Sequence, residues 1–411
     1  MKPAEYSQMN PAALAPKASW FNRRCLEAVL KHLPHLDRGQ LDLVLPDGRQ
    51  LKFGQAQADE PRASVHLKSY RPLRRLMRGG LMGWAESYME GEWDSPDLTS
   101  LIRWAVRNEK AMTHFMDGHP LIRMLNRLFH LSRNNSRRGS RRNIAYHYDL
   151  GNEFYRLWLD STMTYSSALF EEHQSLQDAQ LNKYRRICEM LKLKPGQDVL
   201  EIGCGWGGFA EVAATEFGAK VHGITLSQEQ LDFARQRIEK AGLNAQCSFS
   251  LTDYRDLNQQ YDHIVSIEMF EAVGESHWAG YFDKVKDCLK PGGEAVLQVI
   301  SIAEERFEGY RRGADFIQRY IFPGGMLPSP SVMKNCITER GLSLQEELLF
   351  GRDYARTLEI WQRDFNERWP EIRSLGFDER FRRMWNYYLS YCAGGFYEDT
   401  IDVGLYRIKP A

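Results

Sequence analysis

A glycine-rich turn between an apolar run and a small-residue helix carries the clearest chemistry in this sequence. It reads Asp198-Val-Leu-Glu-Ile-Gly-Cys-Gly-Trp-Gly-Gly-Phe209. The run from Val199 to Ile202 predicts a strand, and a helix is expected to begin near Gly207. Such a junction lets backbone amides and a helix N-terminus approach a nucleotide-like cofactor. Gly203, Gly205 and Gly208 satisfy the G-x-G-x-x-G spacing of a dinucleotide site. That site also needs an acid about 20 residues further on, at the end of the second strand, to hold the ribose hydroxyls. Here the second strand, Lys220-Val-His-Gly-Ile-Thr-Leu226, ends without one. An acid stands instead at Glu201, at the tip of the first strand, and a short acidic turn, Asp253-Tyr254, follows a third.

The elements that must position this turn recur at even spacing. Asp262-His-Ile-Val-Ser-Ile-Glu268 predicts a fourth strand, and Leu289-Lys-Pro-Gly-Gly293 leads into a fifth. Strands alternating with helices predict an α/β fold with a parallel sheet. The layout resembles the S-adenosylmethionine-dependent methyltransferases, which implies a Rossmann-like class I methyltransferase domain. Residues 1–18 are Pro/Ala-rich and expected to be loosely ordered. Residues 19–130 read as a smaller N-terminal α+β domain: Leu41 to Leu45 and Arg49 to Phe53 flank the turn Pro46-Asp-Gly48, a hairpin signal, between helical patterns at 20–33 and 98–111. Residues 131–142 form an arginine-rich linker, and 143–411 the catalytic domain. Within it, 143–193 is expected to be a helical lead-in and 302–330 an irregular segment covering the site. A helix at 331–340, a strand at 342–349, aromatic-rich helices at 353–369 and 378–393 and a last strand, Gly404 to Ile408, complete it.

Composition narrows the classes. The chain of 411 residues has 54 basic and 54 acidic side chains, so nothing draws it to polyanions as a whole. The cysteines number 7, with no zinc spacing, which predicts reduced thiols. Met1 to Ala18 has no apolar core flanked by basic residues, so no signal peptide is expected. No run of about 18 apolar residues predicts a membrane span.

Several separated stretches then point to one family. They are His147-Tyr-Asp-Leu-Gly-Asn152, Thr164-Tyr-Ser-Ser-Ala168, Gly203-Cys-Gly-Trp-Gly-Gly208, Gly223-Ile-Thr-Leu-Ser227, Asp253-Tyr-Arg-Asp256, Met269-Phe-Glu271 with Val273-Gly274, Arg319-Tyr-Ile-Phe-Pro-Gly324 and Tyr391-Cys-Ala-Gly394. In this order they resemble the cyclopropane-fatty-acyl-phospholipid synthases, which are similar to the mycolic acid cyclopropane synthases. The resemblance implies transfer of the methyl of S-adenosylmethionine to a cis double bond in a phospholipid acyl chain, through a carbocation, with ring closure after loss of a proton. For the cofactor it implies Tyr165, Ser166, Gly203, Gly205, Gly207, Thr225, Leu226, Ser227, Gln230, Asp253, Tyr254 and Ile267. The residue-level alternative for Thr225 and Ser227 is a helix cap before Gln228.

The family holds a bicarbonate ion as proton acceptor, and the resemblance maps that site onto Glu271, Tyr354, Ile300, Ser167 and Gln298. Ser167 stands where a Cys is usual, Gln298 where a His is usual, Ala272 where a His follows the Glu, and Glu268 where Gly is usual. Serine and glutamine still hydrogen-bond an anion, whereas the carboxylate of Glu268 would repel one. Two carboxylates in an apolar site also push one pKa upward, toward a general base. Two outcomes stay open: a cyclopropane product, or a methylated olefin or methyl-branched chain with Glu271 and Glu268 handling the proton. Tyr148, Phe170 and Tyr320 are candidates to stabilise the cation. Cys392 reads as a packed small residue rather than a nucleophile.

The substrate implies a peripheral protein at the cytoplasmic, inner membrane surface. Arg133, Arg137, Arg138, Arg141 and Arg142 offer a lipid-phosphate contact, about 1 kcal/mol per basic residue near an anionic surface. No aromatic interleaving suggests nucleic acid. The N-terminal domain is expected either to orient the catalytic domain on the membrane or to mediate a homodimer. A catalytically degenerate lipid- or cofactor-binding protein, and a small-molecule O- or N-methyltransferase, are the competing readings.

Overall fold

The computed structural model describes residues 20–32, 38–55, 57–116 and 150–411. The Pro/Ala-rich start, the arginine-rich linker and Tyr148 lie outside these residues. The chain divides into two compact units, the first built from residues before 130 together with 313–316 and 376–398, the second from the rest.

The first unit carries a sheet of β1 (Gly39–Val44), β2 (Gln50–Gln55), β3 (Arg62–Leu67) and β4 (Trp93–Asp94), in the order β2-β1-β3-β4. The expected hairpin pairs β1 with β2, Leu41 opposite Phe53 and Leu43 opposite Leu51, with all four side chains buried. One boundary differs from the expected 143–411. The helix Glu379–Tyr397 belongs to this first unit and packs on the helix Leu98–Arg107. Ion pairs fasten it. Arg103 Nε and Arg107 Nε reach the two oxygens of Glu398 at 2.7 and 2.6 Å. The Arg383 guanidinium lies over the Tyr88 ring and donates to Trp93 O and Asp94 Oδ1, each at 2.6 Å. Cys392, half-buried, sits on this helix, and none of the 7 cysteines forms a disulfide among the described residues.

The second unit is the doubly wound domain. Its sheet comprises β5 (Asp198–Ile202), β6 (Lys220–Thr225), β7 (Cys247–Leu251), β8 (Tyr261–Ile267), β9 (Leu289–Ile302), β10 (Leu342–Leu349) and β11 (Ile401–Pro410), in the order β10-β11-β9-β8-β5-β6-β7. Pairs from β9 through β7 are parallel, and β11 lies antiparallel between β9 and β10. Buried from both faces, β5 and β8 read as nearly continuous apolar runs, as parallel strands do. The strand order reverses between β5 and β8, and a crevice opens at their carboxyl ends.

Two stretches depart from expectation. The lead-in is helical only at Asn152–Arg156 and Leu176–Met190. Between them, hydroxyl side chains compete for backbone partners: Thr162 N donates to Asp160 at 2.8 Å, and Thr162 and Thr164 share a 2.7 Å contact. The segment 302–330 holds a helix, Glu304–Arg312, and one π turn, Ile317–Ile321. No helix among the described residues is long and apolar enough to cross a membrane.

Candidate active site

The glycine turn builds the floor of the crevice. Gly203 N and Cys204 N both donate to Ile224 O, at 2.9 and 3.0 Å, which ties the turn to β6. Gly203 (φ +84°) and Gly205 (φ +50°) take left-handed backbone that suits glycine. A side chain added at Gly205 would meet nothing within 4 Å, so it would project into open space. The cleft above is open to solvent and has a cavity volume of about 150 Å³. Tyr165 and Ser166 form one wall; Thr225, Leu226 and Gln230 another; Tyr254, Ile267 and Glu268 close it.

Three expected cofactor residues do not line it. Gly207 (φ +82°) caps the helix Gly208–Phe217 and faces Ala234 and Phe249. Ser227 caps the helix Gln228–Lys240, accepting from Gln230 N at 3.3 Å. Asp253 is buried against Arg255, whose guanidinium approaches to 2.6 Å. Thr225 lines the cleft, yet its hydroxyl is committed to Gln230 Oε1 at 2.9 Å. The residues present fit S-adenosylmethionine. The buried Oε2 of Glu201, at the cleft base, has no hydrogen-bond partner among the described residues, and so suits an ammonium group.

Beside the cleft stands the group of polar side chains expected to hold an ion. Glu268 occupies its centre. Its Oε1 accepts from Ser167 N at 2.8 Å and Gln298 Nε2 at 2.7 Å; its Oε2 accepts from Tyr354 OH at 2.7 Å. The residue has φ +50°, a left-handed conformation that costs a non-glycine residue about 1–2 kcal/mol. The same backbone suits the glycine usual at this position in the resemblance. Burial raises the proton affinity of Glu268, while the charge of Lys183 and the hydrogen bonds from Tyr354, Ser167 and Gln298 lower it. Ser167 contributes its backbone amide, not the expected hydroxyl, which donates to Ala168 O at 2.9 Å. Bicarbonate does not fit, because the side chain of Glu268 already holds these donors.

Ile300 N serves the second carboxyl, donating to Glu271 Oε1 at 2.6 Å. The other oxygen of Glu271 is buried without a hydrogen-bond partner among the described residues. Burial, reinforced by Glu268, pushes the pKa of Glu271 up to about 8, so it is mostly protonated at neutral pH. The segment after the π turn holds this residue in place: Met326 N donates to Glu271 O at 2.8 Å. The sequence reading missed Lys183, whose side chain is fully buried and donates to Ser166 Oγ.

The aromatic wall also differs from expectation. Phe170 does not line the cleft, and its face is taken by Arg356, 3.9 Å from the ring centroid. Tyr320 does not line it either. The rings lining the cleft are Tyr165, Tyr184, Trp206 and Tyr254. Tyr155 lies 5.4 Å from Tyr165 and 5.1 Å from Trp206, and Trp361 lies 5.2 Å from Tyr165 and 6.2 Å from Tyr354.

This sheet order, with a glycine turn at its switch point and a cleft suited to a sulfonium nucleoside, defines a class I S-adenosylmethionine-dependent methyltransferase. Coclaurine N-methyltransferase, bound to N-methylheliamine and SAH, shares the fold at 18% identity, with TM-score 0.62 over 80% of this chain and 99% of that one. The sequence model described as mycolic acid cyclopropane synthetase matches residues 135–405, and the chain belongs to that family. It is 37% identical to the tuberculostearic acid methyltransferase UfaA1 of Mycobacterium tuberculosis, over 95% of this chain and 91% of the relative. It is 38% identical to the cyclopropane-fatty-acyl-phospholipid synthase of Escherichia coli K12, over 84% and 87%. The mycolic acid cyclopropane synthase CmaA1, complexed with SAH and CTAB, superposes with TM-score 0.62 at 30% identity, over 65% of this chain and 97% of that one. The protein is thus a lipid-modifying methyltransferase.

Proposed function

We propose that this protein methylates the cis double bond of an unsaturated acyl chain in a membrane phospholipid, with Glu268 as proton acceptor, and releases a methylated olefinic chain rather than a ring. The observation that carries the reading is the grip of Ser167 N, Gln298 and Tyr354 on the Glu268 carboxylate. A base is thereby built into the chain where the family resemblance calls for a bound ion.

S-adenosylmethionine, when bound, supplies a methyl group with an activated leaving group. Glu201, the Gly203–Gly205 turn and Gln230 are the residues to hold it. An alkene is a weak nucleophile, so the protein's first task is alignment. The π pair of the alkene forms the new carbon–carbon bond, which leaves a cation on the neighbouring carbon. Tyr165 and Trp206 line the cleft, and a desolvated aromatic face turned to the cation offsets positive charge by about 2 kcal/mol. The buried aromatic cluster behind Tyr165 excludes water from that wall; water would trap the cation as an alcohol. Glu268 then takes a proton, and the electrons of the broken C–H bond form the new double bond. Glu271, protonated at neutral pH, does not compete for that proton.

Ring closure is the second reading, favoured by the likeness to a cyclopropane-fatty-acyl-phospholipid synthase. Both products have the same mass, so hydrogenation must separate them. Lipids from cells expressing the protein are expected to hold a new species that takes up hydrogen under mild catalysis; a species that resists would establish the ring. Turnover in bicarbonate-free buffer is expected to match that with bicarbonate added. A requirement for the ion would overturn the role of Glu268. The phospholipid substrate further implies work at the inner membrane surface.

A further inference from the structure

A buried basic group near the site is one that the mechanism above does not use. Lys183 lies on the helix Leu176–Met190 with its side chain wholly removed from solvent. Among the described residues no carboxylate comes within 4.0 Å of its Nζ, and its hydrogen-bond partner is Ser166 Oγ. A buried ammonium held by one hydroxyl is expensive unless charges close by balance it.

The surroundings supply that balance and point in one direction. The carboxyl groups facing Lys183 are Glu268, after β8; Asp160, from the loop before the helix; and Glu201, at the end of β5, whose own proton affinity burial raises. On its own helix the neighbour is the Tyr184 ring, 5.0 Å from Nζ. Glu201 is in turn near Arg237, and Glu268 is faced by Tyr354 from the helix Gly351–Glu367 and by Glu271 from the turn after β8.

One peptide unit connects the lysine to the base. Gln180, one turn before Lys183, donates its Nε2 to Ser166 O at 2.8 Å. The same peptide group offers Ser167 N–H to Glu268 Oε1 at 2.8 Å. The helix therefore grips Ser166 at its carbonyl and its hydroxyl, and the peptide so fixed aims a donor at the carboxylate. Hydrogen bonds in series polarise each other in such a setting.

We propose that Lys183 is a positioning residue for the base: its buried ammonium, tied to Ser166, holds Glu268 in the ionised, proton-accepting form. The proposal rests on the reading of Glu268 as proton acceptor. Burial pushes the pKa of Lys183 down to about 7, and the charge of Glu268 opposes that fall. The sign for Glu268 follows. With Lys183 charged, the carboxylate is favoured; with the charge removed, burial raises its proton affinity unopposed.

The test is the pH dependence of S-adenosylhomocysteine release from the full-length enzyme, with vesicles of dioleoylphosphatidylglycerol as substrate. Wild type, Lys183→Met, Lys183→Gln, Lys183→Arg and Glu268→Gln are compared, and S-adenosylhomocysteine binding is measured by calorimetry for each. The acid limb of the profile is expected to move up by about one pH unit or more in both neutral variants, a loss of roughly tenfold on that limb that narrows as pH rises. Lys183→Arg is expected to keep the limb near its wild-type position. Neutral variants that bind S-adenosylhomocysteine and show the wild-type profile, beside an inactive Glu268→Gln, would overturn the role of Lys183 and leave that of Glu268 standing. Full turnover by Glu268→Gln would instead remove the base itself. Neutral variants that fail to fold while Lys183→Arg folds would also overturn the proposal, since the charge would then serve stability.

Discussion

At the scale of single residues, the site separates two carboxyl groups by environment. Glu268 collects donors that favour its anion, whereas Glu271 has one amide and, among the described residues, an oxygen without a partner. Glu268→Gln is expected to abolish turnover while leaving S-adenosylhomocysteine binding intact by calorimetry. Tyr354→Phe removes a hydrogen bond that favours the anion, so the acid limb of its pH–rate profile should move upward. Glu271 governs stability in the other sense. Its folded pKa of about 8 lies above its ordinary value, so the folded state binds the proton more tightly. The resulting stability is complete below about pH 4.3 and is lost as pH rises through about 8. Urea unfolding followed from pH 5 to 9 should therefore show a decline that is shallower in Glu271→Gln. Ser167 and Gln298 were legible as departures from a pattern, but their use of a backbone amide and a side-chain amide on Glu268 was not. That depends on a left-handed backbone at Glu268, which no spacing reveals.

At the scale of elements, the turn and its strands were the readable part. Glycine is the residue that tolerates these dihedral angles, and an apolar run before it marks a doubly buried strand. Two glycines have different duties, which a pair of substitutions separates. An added methyl at Gly223 would lie 2.6 Å from the Phe249 ring and 2.8 Å from Cys204 Cβ. Gly223→Ala should thus cost about 1–3 kcal/mol by thermal unfolding, because β6 must shift from the turn. Gly205→Ala has open space above it, so its stability loss should be the smaller and its loss of S-adenosylhomocysteine affinity the larger. Lys183 had a signal that went unread. Leu176, Ala179, Gln180, Lys183, Tyr184 and Ile187 form the buried stripe of one helix, and a lysine on such a stripe requires an explanation. The helix Glu304–Arg312 was missed because its sequence is mostly charged, with only Phe307 buried.

At the scale of the whole molecule, the division of the chain was the least legible feature. The partners that bind the helix Glu379–Tyr397 to the first unit, such as Arg103 with Glu398 and Asp94 with Arg383, stand almost 300 residues apart, beyond the reach of local pattern. A fragment of residues 1–130 lacks this helix and leaves the apolar face of Leu98–Arg107 uncovered. It is expected to show helical circular dichroism without a cooperative thermal transition, whereas a sharp transition would mean that the helix is dispensable. The path of the chain after this helix has a consequence for synthesis. Residues 376–398 complete the first unit, and only then does β11 enter the second between β9 and β10. Synthesis delivers both closing pieces after the rest of their units, so neither unit can finish folding until residues 376–410 have emerged. Two unfinished cores are therefore exposed at once on the nascent protein until then, the condition under which aggregation competes with folding.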